Sequence, residues 1–202
     1  MSRILLITSS PRGAASYSSQ VARALASKLA DGHGHSKVAV RDLAREPLPH
    51  IDESFAVARN TPPERLSAAQ RAALERSDAL VAELEAADVV IIAAAMINFG
   101  IPSTLKAYID HVLRPGVTFR YGEKGPEGLV RGKKVYLVLA RGGVYSGPMQ
   151  ALNFQDTYLR AALGFIGLTD VEVLTVEGVA LGAEAAASAV GAALERISAI
   201  AA

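Results

Sequence analysis

The sequence predicts an α/β domain: a parallel sheet of five strands with helices wound on both faces. Three observations predict it. Five short β-rich runs recur at fairly regular intervals, most of them unbroken in hydrophobicity, as strands buried on both faces of a parallel sheet are. Helix-like stretches separate those runs, the alternation that a doubly wound sheet requires. The chain has 202 residues, 50% of them hydrophobic, which suits one core rather than two.

The elements follow in order. Ile4 to Thr8 forms the first strand, and Ser18 to Leu29 the helix behind it. Lys37 to Asp42 forms the second strand, more polar than the others and so placed at a sheet edge. Arg45 to Pro63 breaks the alternation with four prolines and a polar mix. It reads as a long surface excursion, which in a compact domain is usually functional or interfacial. Ser67 to Ala86 forms the next helix, with the Ser67 hydroxyl as its N-cap. Asp88 to Ala94 is the third strand, followed by a helix over Ser103 to Val112 with Ser103 as cap and Pro102 at the first-turn boundary. Pro115 to Gly132 holds five glycines and Pro126 around the β-prone Val117 to Tyr121, the pattern of a flap or short hairpin. Lys134 to Leu139 and Val171 to Val176 complete the sheet, each followed by a helix: Pro148 to Leu163, then the Ala-rich Ala183 to Ile200.

Composition excludes several function classes. Lys and Arg number 21 against 20 Asp and Glu, so no sign-biased field draws in nucleic acid or an acidic membrane. Cysteine is absent, which removes disulfides, thiolate catalysis, cysteine-ligated zinc and iron–sulfur clusters. Redox chemistry in this chain therefore needs a bound organic cofactor. The longest apolar run, Val89 to Ile97, is far short of the roughly 20 residues that cross a bilayer. The polar Thr8-Ser9-Ser10 interrupts the start before a signal peptide's apolar core can form, so the cytoplasm is the expected compartment.

In an open α/β sheet, ligands gather beyond the carboxyl ends of the strands where the winding reverses. Three loops sit there. The first, Ser9 to Ser18, is small and hydroxyl-rich and runs into a helix. Backbone N–H groups at that helix start, with the Ser10, Ser16 and Ser18 hydroxyls, suit one phosphate, and the helix dipole adds about 0.3 to 1 kcal/mol. No Gly-Lys-Ser/Thr ending or Gly-x-Gly-x-x-Gly is present, which disfavours a triphosphate or a pyrophosphate and leaves a mononucleotide. The second loop, Ala94 to Ser103, offers the Asn98 amide, the flat face of Phe99 and a turn forced by Gly100-Ile101-Pro102, a combination suited to a planar heterocycle. The third, Ala140 to Pro148, brings paired Gly142 and Gly143, whose amides can approach a ligand edge without a Cβ in the way. Each loop alone also suits an ordinary turn; their coincidence at three expected positions favours a site.

Further residues carry bland readings. His33 and His35 lie in a polar loop and His111 on a helix; no metal is expected from them. His50, in the excursion, is a candidate for approaching a second subunit. Lys106 and Arg114 read as solvated helix charges, and Arg120 belongs to the flap.

Over nearly its whole length the chain resembles the FMN-dependent NADH-azoreductase family, also described as NADH:quinone oxidoreductases, of flavodoxin-like fold. The resemblance rests on Met96-Ile97-Asn98-Phe99, Ile101 to Asp110, Gly116 to Tyr121, Gly125 to Leu129, Arg141-Gly142-Gly143 and Leu163 to Asp170. It implies a single domain over residues 1–202 with strand order 2-1-3-4-5, and FMN bound non-covalently. The FMN phosphate falls to Ser10, Ser16, Tyr17 and Ser18. The isoalloxazine falls to Met96, Ile97, Asn98 and Phe99, and to Ala140, Arg141, Gly142 and Gly143. It further implies NADH or NADPH as donor, ping-pong reduction of quinones or azo compounds, and a homodimer with two sites at the subunit interface. Phe119, Tyr121 and Phe165 help form the substrate pocket in that arrangement. No side chain is assigned as catalytic, because the flavin carries the hydride. The sequence departs from the family at Ala95 and Ile97, where proline and tyrosine are usual, and at Ala140, where serine or threonine is common. Two other readings stay open: a flavodoxin-type electron carrier without its own small-molecule substrate, and a hydrolase or transferase with Ser10 or Ser16 as nucleophile.

Overall fold

A computed structural model describes residues 2–32 and 36–200. Strand β1 (Arg3–Thr8) leads into helix α1 (Tyr17–Gly32), then β2 (Lys37–Asp42), a short α2 (Glu53–Ala58) and α3 (Ala68–Ala86). Strand β3 (Val89–Ala95) and α4 (Ser103–Val112) precede a hairpin of β4 (Phe119–Gly122) and β5 (Gly125–Gly128). Strand β6 (Lys134–Ala140), α5 (Phe154–Phe165), β7 (Val171–Val176) and α6 (Ala183–Ala199) complete the chain. Five strands form one parallel sheet in the order β2-β1-β3-β6-β7. This is the expected 2-1-3-4-5 order once the two hairpin strands, which stand outside the sheet, are set aside.

Side chains alternate across each strand, and that parity sorts the core into two layers. Leu5, Ile7, Val90, Ile92, Leu137 and Leu139 pack against α3, α4 and α5. Ile4, Leu6, Val89, Ile91, Val138 and Leu174 pack against α1 and α6. Because β1 and β3 are neighbours in the sheet but lead to helices on opposite faces, a crevice opens beyond their carboxyl ends.

Several expectations are corrected. Ser67 caps α3 as predicted, in a complete capping box with Gln70. Ser103 does not cap α4: Pro102, fixed at φ −58° with an extended ψ, takes the cap position, and Ser103 is already helical. The helix predicted from Pro148 is two pieces. A 3-10 segment, Gly147–Leu152, ends at Asn153, and α5 starts only at Phe154, whose amide, without an acceptor in its own helix, donates to the Phe99 carbonyl at 3.1 Å.

The excursion contains an unpredicted helix. Asp52 caps α2 by accepting from the Phe55 amide at 2.9 Å, and Phe55 is buried edge-on against His111, ring centroids 5.1 Å apart. His111 Nε2 lies 3.0 Å from the Pro49 carbonyl. Arg114, expected in solvent, is buried beneath Phe55. It donates to Ser77 Oγ at 2.7 Å and Asp78 Oδ1 at 3.1 Å, and so pins the excursion to the start of the hairpin segment. Lys106 is a surface charge as predicted, paired with Asp110 one turn on. His50 is exposed, while His33 and His35 lie outside the described residues. In the hairpin, Arg120 and Arg131 flank Glu127 and hold its carboxyl below the usual carboxylate range. No helix among the described residues is long and apolar enough to cross a membrane.

Candidate functional site

The loop after β1 is tied to the neighbouring strand by Ser9, whose hydroxyl donates to the Ala93 carbonyl at 2.9 Å. A 3-10 turn, Gly13–Ala15, follows and delivers the chain to Ser16, which is extended at φ −78°, ψ 117°. Ser16 caps α1: its Oγ accepts from the Ser19 amide at 3.2 Å and lies 3.2 Å from Ser18 Oγ. The amides of Tyr17 and Ser18 are left without an acceptor among the described residues, and the first turn of α1 carries no acidic side chain. That helix start is therefore a set of unspent donors with the positive end of the helix dipole behind it.

The loop after β3 turns on two residues. Ile97 and Gly100 exchange amide–carbonyl bonds, 3.0 Å each way, with Asn98 at φ 45° and Phe99 at φ 71° between them. Positive φ at both central positions is the mark of a type I′ turn; Asn tolerates it, whereas a phenylalanine there is strained by about 1 to 2 kcal/mol. The turn is anchored from outside: Met96 donates to the Ala140 carbonyl at 2.8 Å, and Phe154 donates to Phe99.

The loop after β6 is fixed by Arg141, whose guanidinium is buried. Nε donates to Gln155 Oε1 at 3.0 Å and Nη1 to Glu177 Oε1 at 2.7 Å, while Gln155 reaches on to the Ala94 carbonyl at 3.2 Å. One side chain thereby ties the ends of β3, β6 and β7 to α5. The Gly142 carbonyl accepts from Ala180 at 3.0 Å, and a Cβ on Gly142 would meet the Ala180 methyl at 3.3 Å.

Between these loops lies a cavity of about 270 Å³. Of the predicted residues, Ser10, Ser16, Tyr17, Met96, Ile97, Ala140 and Gly142 line it. Ser18, Asn98, Phe99, Arg141 and Gly143 stand in the same loops but outside its walls, Arg141 with its side chain turned to the back. Sequence reasoning did not assign Pro11, Arg12, Ala95, Val179 or Ala180, which also line the cavity. The last two follow β7, and the rule that ligands gather at strand carboxyl ends would have found them had it been extended to the fifth strand. The cavity is polar and cationic at the α1 end and apolar at the β3–β6 end. Phe119, Tyr121 and Phe165 form a cluster of their own away from these walls, Phe119 edge-on to Tyr121 at 5.6 Å and to Phe165 at 4.6 Å, with Tyr121 largely exposed. Among the described residues neither Ser10 nor Ser16 has a histidine or carboxylate as hydrogen-bond partner, so nothing there serves as base to a nucleophilic serine.

Comparison with known proteins agrees with the fold. The flavodoxin-like fold family matches residues 2–201. The chain is 55% identical over its whole length to FMN-dependent NADH:quinone oxidoreductase 1 of Rhizobium etli, of which 98% is covered. It is 49% identical over 99% of its length to FMN-dependent NADH:quinone oxidoreductase 1 of Burkholderia lata, again covering 98%. Among solved structures, an azoreductase from Bacillus anthracis superposes with a TM-score of 0.91 at 29% identity, covering all of this chain and 99% of that one. Similarity of this extent makes the chain a member of the FMN-dependent NADH:quinone oxidoreductase and azoreductase family, of flavodoxin-like fold.

Proposed function

We propose that the protein is a cytoplasmic, FMN-dependent oxidoreductase that passes electrons from NADH or NADPH to quinones and azo compounds. The cavity carries the reading: hydroxyls, unspent amides and a cation at one end and an apolar slot at the other, at the crevice between β1 and β3. The residues present suit FMN. Ser10, Ser16 and the amides of Tyr17 and Ser18 supply donors for a phosphate, and Ser18 steadies the Ser16 hydroxyl from behind. Met96 and Ile97 form one wall for a planar ring system, with the Asn98–Phe99 turn beyond it. Ala140 and Gly142 offer backbone along another, where a Cβ on Gly142 would crowd Ala180.

FMN, when bound there, would supply two-electron redox chemistry between a nicotinamide donor and a quinone or azo acceptor in alternate half-reactions. The chain's part is placement: reacting atoms brought to about 3 to 3.5 Å remove several kcal/mol of barrier. Phe99 and Phe154, both substantially exposed and joined by a backbone hydrogen bond, present apolar surface beside the loop after β3, and Met149 is exposed in the segment leading to Phe154. A second copy seated on that surface would complete the acceptor pocket with the Phe119, Tyr121 and Phe165 cluster.

The test is the visible spectrum of purified protein under anaerobic conditions. Flavin bands that bleach with NADH and return with a quinone are the expected result. Colourless protein without affinity for FMN overturns the reading. Bound flavin that NADH reduces only through a separate reductase favours the electron-carrier alternative.

A further inference from the structure

We infer that Arg12 is the residue by which this site distinguishes phosphorylated from unphosphorylated flavin. The inference rests on the reading of the cavity as an FMN site and concerns which group at its polar end carries the discrimination.

Arg12 heads the 3-10 turn between β1 and α1 and lines the cavity beside Ser10 and Ser16. Its guanidinium carbon lies 5.0 Å from the centroid of the Tyr17 ring. Tyr17 is itself partly buried against the α1–α6 core layer, so the ring is a fixed platform rather than a second mobile side chain. The partner's chemistry matters. Arg141 and Arg114 face carboxylates, Glu177 and Asp78, which offset their charge. Arg12 has no carboxylate within ion-pair distance among the described residues. An aromatic face holds a guanidinium by its quadrupole and leaves the net charge in place. Arg12 is thus a positioned cation with its charge unspent, at the mouth of a cavity whose walls carry no acidic residue.

The other groups at that end discriminate less. Serine hydroxyls rotate to donate or accept, so Ser10 and Ser16 serve a neutral terminal hydroxyl as well as a phosphate. The Tyr17 and Ser18 amides favour an anion through the helix dipole but donate to a neutral oxygen too. The guanidinium alone among these groups brings a full positive charge, whose Coulomb attraction acts on a dianionic phosphate and has no counterpart on a neutral ribityl end. Loss of one charge-assisted hydrogen bond corresponds to roughly a tenfold to hundredfold change in affinity.

The experiment strips flavin from the protein and titrates the apoprotein with FMN and with riboflavin, each followed by quenching of flavin fluorescence. In Arg12→Gln, affinity for FMN is expected to fall about ten- to a hundredfold while riboflavin affinity stays within about twofold. Arg12→Lys keeps the charge and retains most of the preference. Added salt weakens FMN binding to the unaltered protein more than to Arg12→Gln. Arg12 is exposed, so the thermal midpoint of the apoprotein variants is expected to be unchanged. Equal losses for both flavins, or an unchanged FMN affinity in Arg12→Gln, overturn the inference while leaving the site reading intact. Unaltered protein that binds neither flavin overturns the site reading, and the inference with it.

Discussion

Tyr108 projects from α4 into the core with its hydroxyl buried and, among the described residues, unpartnered, near the Arg41–Glu83 ion pair. Burial pushes its pKa well above the ordinary value near 10, with the Glu83 charge adding to the shift and Arg41 opposing it. The folded protein therefore holds this proton to higher pH than the unfolded chain does. The stability linked to Tyr108 is fully present below about pH 10 and is lost as pH rises toward the folded value. Replacing Tyr108 with phenylalanine removes an unsatisfied polar atom at almost constant shape. It is expected to raise stability by about 1 kcal/mol at neutral pH and to flatten the alkaline loss. Urea unfolding at neutral pH and above pH ~10 checks both parts; a variant less stable than the parent at neutral pH would mean the hydroxyl has a partner after all.

At the scale of elements, the hairpin is set against the end of α5 by two glycines in contact. A Cβ on Gly128 would lie 2.1 Å from the Gly167 amide nitrogen, a clash with backbone that no rotamer relieves. Gly128→Ala is therefore expected to lift β5 from the Ile166–Gly167 corner and cost about 3 kcal/mol. Gly164, in α5 with open space around its would-be Cβ, is the contrasting position. Gly164→Ala should stabilise by about 0.5 to 1 kcal/mol through helix propensity and a less free unfolded chain. Denaturation midpoints of the two variants, moving in opposite directions, would separate close packing from mere flexibility. The excursion shows the same logic from the side of polar groups. Its prolines mark it as irregular, yet Phe55, His111, Arg114 and Ser77 dock it on α3 and α4 through partners as far as 62 residues apart in the chain.

For the whole molecule, Phe154, Phe99 and Met149 are large apolar side chains exposed on the elements after β3 and β6, the material of a subunit interface. Sedimentation equilibrium is expected to return twice the chain mass, and Phe154→Asp to shift the population toward single chains and lower quinone reduction in parallel. A monomeric parent with full activity would remove the second copy from the acceptor pocket. The near-neutral charge fits this surface use, since docking on a protein electron partner is steered by excess charge that this chain lacks.

The order of the elements, the two-sided burial of the sheet and the three loops of the candidate site were legible in the sequence. Each is encoded locally: hydrophobic runs with few polar breaks, helix-starting hydroxyls, and a chain order that places certain loops at strand carboxyl ends. Tertiary structure alone decided where the polar side chains in those loops went. Arg141, read from the sequence as a ligand contact, faces Glu177 36 residues away, and Arg114, read as solvated, finds Ser77 at 37. Arg12 rests on a ring five residues on. A long charged side chain has a local preference for none of these destinations. Its direction is set by whichever distant partner offsets its desolvation, and that partner exists only once the sheet has brought the loops together.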